Sequence, residues 1–288
     1  MPGSRNFTLA FYIAVACLVL IGLVPVEEQR EALAWQRAVA NLGLVVSFGL
    51  GAVLGTWIGL LLALDAVCSL LAALLAARLP STLRTTPLGE PGSPGGAGPS
   101  WTLFAWATAI QCGWYLGYEA YLTATAAQLR VTLGPEGVSW YAGVMVLNVV
   151  GCAGLGVLAA RWIDEPRWSV PIGSLLFVTG AAIGVAWPGW KLGTAIGMGI
   201  VTLGELLFIA TSQFVWMSLV PRSTRHGTVF AVASTAVALS RAVGAALAFP
   251  LIVDAGSPAL GLMVLAAPGL LLGLFGEPVW RAFREVGR

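Results

Sequence analysis

The stretch GLVPVEEQREALAWQRAVANLG (residues 22–43) has a counterpart later in the chain, SLVPRSTRHGTVFAVASTAVALSRAVG (residues 218–244). In both, Leu-Val-Pro ends an apolar run, an arginine follows the proline after four or five residues, and a run rich in small residues begins. The two prolines, Pro25 and Pro221, are 196 residues apart, and six predicted helices separate the equivalent positions. This spacing predicts a six-helix repeat.

The composition of the chain places it in a lipid bilayer. Of its 288 residues, 58% are hydrophobic and 10% are charged, and the mean hydropathy is +0.87. Soluble domains carry about a quarter charged residues. Apolar runs such as 7–25, 58–77 and 260–276 approach the roughly 20 residues that a helix needs to cross a bilayer, and they lack the alternation of barrel strands. The sequence therefore predicts an all-α polytopic membrane protein.

Proline, glycine and charged residues divide the chain into nine predicted transmembrane helices. Their ranges are 7–25, 33–55, 57–79, 101–127, 138–161, 168–188, 192–219, 227–253 and 258–276. The stretch LGEPGSPGGAGPS (88–100) separates the third helix from the fourth, and its composition is that of a flexible tether. The predicted domains are a partial N-terminal bundle (1–80), a central loop (81–100) and a six-helix C-terminal bundle (101–288).

The basic residues are distributed unevenly between the two sets of loops. Because successive helices alternate in direction, the loops lie on two sides, and eleven of the 15 basic residues, Arg37 among them, belong to one set. Three belong to the other set, and Arg241 lies within a predicted helix. Cytoplasmic loops carry the excess of basic residues. We therefore expect the central loop and the C-terminus to lie in the cytoplasm. The expected location of the protein is the plasma membrane.

The sequence gives little indication of catalysis, of a metal or of another cofactor. The four cysteines lie in apolar runs without a CxxC spacing, so neither a zinc site nor a disulfide framework is expected. His226 is the only histidine and lies in a loop, and there is no basic patch for nucleic acid. A membrane-embedded enzyme, one alternative class, would need a nucleophile, metal ligands or a paired acid and base at one depth. We therefore expect no enzymatic activity and no cofactor.

The repeat and the loop pattern resemble the major facilitator superfamily over essentially the whole chain. The resemblance rests on Pro25 with the arginines after it, and on three stretches: RAVANLGLVVSFGLGAVLG (37–55), LALDAVCSLLAALLAARLP (62–80) and TLGELLFIATSQFVWMSLVPRSTRHG (202–227), similar to the fifth, sixth and tenth helices of the family. Duplicated bundles with the substrate path between them are one way to build a secondary transporter. The resemblance implies secondary active transport by alternating access.

On this plan the chain has a partial fold, with three helices of the N-terminal bundle and a complete six-helix C-terminal bundle. We therefore expect the first three helices of the family plan to be absent from this chain. We expect the chain to be a fragment, or its start to lie too far downstream. The alternative is a natural nine-helix protein that dimerises or has lost transport.

The resemblance also implies residues with structural or gating roles. Four glycines of the fifth helix resemble the family's antiporter motif: Gly43, Gly49, Gly51 and Gly55. The Gly-Pro pair of that motif does not occur here. The stretch GVLAARWIDEPR (156–167) resembles the second copy of the family's Gly-rich loop motif, with Ala160 in place of the usual aspartate. Structural or gating roles are implied for these glycines and for Pro25, Pro221, Arg161 and Asp164.

Ionisable residues within the predicted helices are candidates for the transport pathway. A charge at mid-membrane costs about 3 kcal/mol even on the lenient insertion scale, so it tends to face a cavity or a partner. Glu205 and Arg241 lie at similar distances from the outer ends of antiparallel helices, and therefore at similar depth. We expect a Glu205–Arg241 ion pair, which either couples proton binding to movement or only fixes helix packing.

The stretch QCGWYLGYEAYL (111–122) places polar and aromatic side chains on one helix face, because they are spaced by three or four residues. By resemblance this is the seventh helix, which lines the central cavity of the family. We expect Gln111, Tyr115 and Glu119 to contact substrate or protons. The alternative is an aromatic belt with hydrogen bonds between helices.

Two further polar residues, Asn148 and Gln213, could hydrogen-bond a ligand, although contacts between helices are the usual role of such residues. A cavity with few fixed charges favours a lipophilic or amphipathic solute, and we expect drug-type efflux by proton antiport. An uptake carrier for a metabolite or sugar is the alternative. The expected partners are the small solute, protons and the lipid bilayer.

Overall fold

The computed structural model describes residues 28, 31–32, 34–43, 67, 101–163, 165–219, 226–276 and 281. The regular secondary structure within these ranges is helical, without a strand, which confirms the all-α class. Most of the first three predicted helices and the central loop lie outside the described residues. The count of nine helices therefore remains a prediction.

Among the residues described between 101 and 276 there are six α-helices and one π-helical segment. They are α1 (Trp101–Leu133), α2 (Pro135–Trp162), α3 (Pro166–Ala186), α4 (Lys191–Ser218), α5 (His226–Ala248) with the π-helical segment Phe249–Val253 after it, and α6 (Pro258–Leu274). Residues 31–32 and 34–43 are also helical and are called the N-terminal segment below.

Proline and glycine set the ends of these helices. Pro135, Pro166 and Pro258 each stand in the first turn of a helix, where the missing backbone N–H removes no hydrogen bond. The bounds agree with the six predicted helices to within a few residues, except that α1 continues past 127 to Leu133. The reason is that the first residue to break α1 is Gly134, whose φ of 61° favours glycine.

Helices α3 and α4 form the most extensive contact of the bundle, and glycines bring their backbones together. A Cβ atom at Gly180 would lie 2.6 Å from the carbonyl oxygen of Gly197, and one at Gly173 would lie 2.8 Å from that of Gly204. Small residues allow this approach in a bilayer, where van der Waals packing drives helix association. The α3–α4 pair therefore forms a closely packed backbone contact.

Aromatic side chains from α1, α3 and α4 form the centre of the bundle. Trp114 is almost fully buried, and its ring lies 4.5 Å from that of Phe208, 4.9 Å from that of Tyr118 and 5.1 Å from that of Phe177. Such ring pairs contribute about 0.5–1.5 kcal/mol each beyond their burial. The cluster fixes the rotation of α1, and so decides which of its residues face α4 and which face α5.

The outer surface of the bundle is apolar, as expected of a protein in lipid. Leu147, Leu203 and Leu239 are large apolar side chains that remain exposed on α2, α4 and α5. Among the described residues, four helical stretches are long and apolar enough to cross a bilayer: Pro135–Ala159, Arg167–Ala186, Lys191–Ile209 and Val232–Val253. Pro258–Leu274 is a shorter apolar helix.

Candidate functional site

The first charge pair of the interior joins the N-terminal segment to α4. Arg37 Nη2 donates to Glu205 Oε1 at 2.9 Å, and the side chains are 27% and 8% exposed. Glu205 lies near the middle of α4, far from either helix end. A charge at this depth is costly without a partner. The Arg37–Glu205 pair therefore supplies each residue with the opposite charge that it needs.

The second oxygen of Glu205 is held by neutral donors. The Tyr118 hydroxyl donates to Oε2 at 3.0 Å, and Asn148 Nδ2 donates to the same oxygen at 3.3 Å. Asn148 Nδ2 also donates to Thr202 Oγ1 at 2.8 Å, so both of its amide hydrogens are used. Glu205 thus accepts hydrogen bonds from the N-terminal segment, α1 and α2.

The second charge pair joins α1 to α5. Arg241 Nε donates to Glu119 Oε1 at 2.6 Å, and Arg241 Nη2 contacts the same oxygen. The guanidinium lies 5.3 Å from the ring centre of Tyr115, which is within the range of a cation–π contact. Tyr115 and Glu119 are one helical turn apart on α1, so a single face of that helix holds Arg241.

The expected Glu205–Arg241 pair is not formed, because each residue has another partner. The prediction assumed that α4 and α5 are neighbours. In the structure α5 packs mainly on α1, whereas α4 packs mainly on α3 and α2. Helix α1 therefore meets both residues on different faces, with Glu119 toward Arg241 and Tyr118 toward Glu205.

The position of Arg37 corrects a second expectation. The charge distribution places this residue among the cytoplasmic arginines, but its guanidinium reaches the middle of α4. The repeat contains a signal for this role: Arg-Ala-Val occurs at 37–39 and again at 241–243, and both arginines neutralise a buried glutamate. Tyr118, which lies on the polar and aromatic face of the stretch 111–122, and Thr202, which no signal in the sequence singled out, complete the contacts around Glu205 and Asn148.

An exposed ion pair connects the N-terminal segment to the end of α2. Arg161 Nη2 donates to Glu31 Oε1 at 2.5 Å, and Trp35 Nε1 donates to the same oxygen at 3.4 Å. The hydrogen bond from Arg161 lowers the pKa of Glu31, and the same bond raises the pKa of Arg161. The N-terminal segment thus contacts the C-terminal bundle at two depths, through Glu31 near the helix end and through Arg37 in the interior.

The other predicted site residues are only partly brought together. Gln111 and Asn148 are buried, and Asn148 belongs to the group around Glu205. A Cβ atom at Gly43 would meet no described atom within 4 Å. The remaining positions lie outside the described residues, or only their backbone is described: Pro25, Gly49, Gly51, Gly55, Asp164, Gln213 and Pro221.

Within the described ranges no group of three or more His, Cys, Asp or Glu residues could hold a metal ion. The site therefore consists of two neutralised charge pairs, the polar groups that hold them, and the aromatic cluster of α1, α3 and α4.

The chain matches the family model described as Major Facilitator Superfamily over residues 6–245. The chain belongs to this superfamily. No curated protein and no solved structure matched the chain. Membership confirms the resemblance seen in the sequence and makes the chain a multi-pass membrane protein and a secondary transporter of the Major Facilitator Superfamily type, with a small-molecule solute and the lipid bilayer as its partners.

In a Major Facilitator Superfamily transporter, contacts between the two halves must break and form again during each cycle, because access alternates between the two sides. The matched range includes the N-terminal segment and all four residues of the two charge pairs. Arg37–Glu205 and Glu31–Arg161 each join a residue that precedes the central loop to one that follows it. Arg241–Glu119 lies within the C-terminal half alone.

Proposed function

We propose that this protein exports a lipophilic or amphipathic solute across the plasma membrane by proton antiport. The central loop and the C-terminus lie in the cytoplasm in this proposal, and no enzymatic step is involved. The observation that carries it is the Arg37–Glu205 pair, an ionised couple in the interior that links the two halves of the chain.

Protonation of Glu205 is the coupling step of the proposal. A neutral carboxyl attracts the Arg37 guanidinium far less than a carboxylate does, so proton uptake weakens the contact between the N-terminal segment and α4. An unpaired buried charge is strongly unfavourable. Arg37 must then move toward water or another acceptor, and this movement accompanies the change in access. Release of the proton restores the pair and closes the halves again at this depth.

Two further features support a gating role for contacts between the halves. Glu31–Arg161 joins the same N-terminal segment to the end of α2, beyond the apolar stretch that ends at Ala159. This exposed pair serves as the cytoplasmic gate, as proposed from the motif for Arg161. As the gate opens, the fifth helix of the family plan would bend or slide, which its small residues allow: Gly43, Gly49, Gly51 and Gly55. The adjoining loops of that plan contain Pro25, Pro221 and Asp164.

The substrate class follows from the chemistry of the interior. The charges of Arg37, Glu205, Arg241 and Glu119 cancel within two pairs, so the site presents no net charge to a solute. Aromatic side chains of α1 lie beside both pairs, since Tyr118 donates to Glu205 and the Tyr115 ring lies against Arg241. An amphipathic solute could contact the rings with its apolar part and Gln111, Tyr115, Asn148 or Gln213 with its polar part.

A vesicle experiment tests the proposal. The full chain is reconstituted into vesicles of phosphatidylethanolamine and phosphatidylglycerol, and ethidium uptake is followed by fluorescence with an acidic or an equal internal pH. We expect accumulation only with the acidic interior, loss of accumulation in Glu205→Gln, and retention in Glu136→Gln, whose carboxylate is exposed at the surface.

Other outcomes contradict the proposal in different ways. Glucose accumulation with an alkaline interior, together with no ethidium movement, would support the uptake carrier. Absence of movement of either solute in any gradient would support a chain that does not transport. Ethidium movement that is the same with and without a pH gradient would remove the proton from the mechanism.

A further inference from the structure

Tyr118 of α1 contacts Glu205, and three further buried polar side chains follow it along the same helix, Tyr121, Thr125 and Gln128. Tyr118, Tyr121, Thr125 and Gln128 are spaced by three, four and three residues, so they lie on one helix face. At 1.5 Å per residue the line extends about 15 Å from Tyr118 toward the Gly134 end of the helix. That end is the outer one by the distribution of basic residues.

Beyond Tyr118, three polar atoms of this line lack hydrogen-bond partners among the described residues. They are the Tyr121 hydroxyl, Thr125 Oγ1 and Gln128 Nε2, in side chains that are 0%, 1% and 5% exposed. Tyr121 and Thr125 lie near each other one turn apart, but their hydroxyls do not reach hydrogen-bond geometry. Unsatisfied groups at this burial are rare, and ordered water is the usual partner. Three such atoms on one face are the hydrogen-bonding groups that a file of internal water would use.

The proposal follows from this continuity and rests on the proposed proton coupling at Glu205. We propose that Gln128, Thr125, Tyr121 and Tyr118 line a proton route inside the C-terminal bundle, from the outer end of α1 to Glu205. The route is separate from the solute path between the halves. Gln128 and Thr125 hold water at its entrance, and Tyr121 holds it at the level of Gly184, the glycine that leaves room for its hydroxyl.

The last transfer takes place between Tyr118 and Glu205. The Tyr118 hydroxyl passes its proton to Glu205 Oε2 along the existing 3.0 Å hydrogen bond and takes one from a neighbouring water that has itself received the proton entering from the outer end, so the phenol and the water are both unchanged. Other groups facing Glu205 are Arg37, Asn148 and the Cys152 thiol, while Glu119 lies beside Tyr118. Of these, only Tyr118 both touches Glu205 and continues along the unsatisfied face of α1.

Infrared spectroscopy after a pH jump tests the route on the full chain in detergent. The signal of Glu205 protonation is the carboxyl band that disappears in Glu205→Gln. We expect Tyr121→Phe and Thr125→Val to slow the appearance of this band about tenfold each, which corresponds to a barrier about 1.4 kcal/mol higher. The final size of the band and the thermal unfolding midpoint should change little, because each variant removes only the polar atom.

Thr123→Val is the matched control, since Thr123 lies two residues from Thr125 on another face of α1 and is only half-buried. In this variant Glu205 should become protonated at the same rate as in the unchanged protein. Equal rates in all variants would overturn the route but leave Glu205 as the proton site. Absence of any band sensitive to Glu205→Gln would instead overturn the proposed proton coupling and the route with it.

Discussion

Arg37 and Glu205 are 168 residues apart in the chain, yet Arg37 Nη2 lies 2.9 Å from Glu205 Oε1 in the interior of the protein. The contact joins a helical segment before the central loop to the middle of α4.

Removal of one member of this pair should damage the fold more than removal of both. In Arg37→Gln the ionised Glu205 is left without its cation, and the loss of stability for a broken buried pair is about 3–5 kcal/mol. The double variant Arg37→Met with Glu205→Met leaves no buried charge and should unfold near the temperature of the unchanged protein. The measurement is thermal unfolding in detergent, with ethidium uptake in vesicles as the second measurement.

The double variant should nevertheless give no accumulation of ethidium in response to a pH gradient. If it unfolds as easily as the single variant, the electrostatic explanation of the pair is wrong. If it still responds to the gradient, Glu205 is not the coupling residue.

Exchange of the charges in the second pair separates a structural role from a coupling role. In Glu119→Arg with Arg241→Glu the ion pair can form again. The guanidinium is then on α1 and no longer approaches the Tyr115 ring from α5. We expect expression and the unfolding midpoint to recover relative to either single variant, which should lose stability as in other broken buried pairs. Uptake driven by the pH gradient should remain low. Full recovery of transport would show that the pair only fixes the packing of α1 on α5.

Glycine contacts between α3 and α4 give a prediction with a control two residues away. A Cβ atom at Gly197 would lie 2.5 Å from the carbonyl oxygen of Gly180 and 2.7 Å from the backbone nitrogen of Gly184, whereas one at Gly199 would meet nothing within 4 Å. Gly197→Ala should therefore separate the two helices and lower stability by about 1–3 kcal/mol. Gly199→Ala should leave stability unchanged or raise it slightly, since alanine is the better helix former. Equal unfolding midpoints of the two variants in detergent would contradict this packing.

The exposed Glu31–Arg161 pair should depend on pH in a defined direction. The hydrogen bond from Arg161 lowers the pKa of Glu31 below its ordinary value of 4.5, so the folded state favours the ionised form. Its contribution to stability is present above pH 4.5 and is lost as the pH falls through the lowered value. The unfolding midpoints of the unchanged protein and of Glu31→Gln should differ slightly at pH 7 and converge in acid.

Salt provides the control for this pair, because exposed ion pairs are screened and the Debye length at 1 M is about 3 Å. The difference between Glu31→Gln and the unchanged protein should shrink at pH 7 in high salt. A difference that persists both in acid and in salt would mean that Glu31 stabilises the fold by some contact other than Arg161.

The helices could be predicted from the sequence because their signals are local. Hydropathy, proline and glycine gave all six helices of the C-terminal bundle within a few residues, and the one large difference, the longer α1, arose because its break lies at Gly134. The burial of Glu119, Glu205 and Arg241 was also predictable, since each stands within a long apolar stretch. The domain division and the roles of the site residues remain predictions.

The partners of the charges could not be predicted in the same way. Equal depth along two helices is a matter of counting residues, and it favoured Glu205 with Arg241. Contact also requires that the two helices be neighbours and that the two side chains point toward each other. Here α1 packs against α5, and the Trp114 cluster fixes the rotation of α1. Glu119, and not Glu205, therefore lies within hydrogen-bond distance of Arg241.

The sequence by itself determined that the chain is an all-α membrane protein of the Major Facilitator Superfamily, because composition, helix ends and the repeat are properties of short stretches and their order. Only the tertiary structure decided that Glu205 pairs with Arg37 and Glu119 with Arg241. The physical reason is that a buried carboxylate takes the nearest cation in space, and the identity of that cation depends on how whole helices pack and rotate.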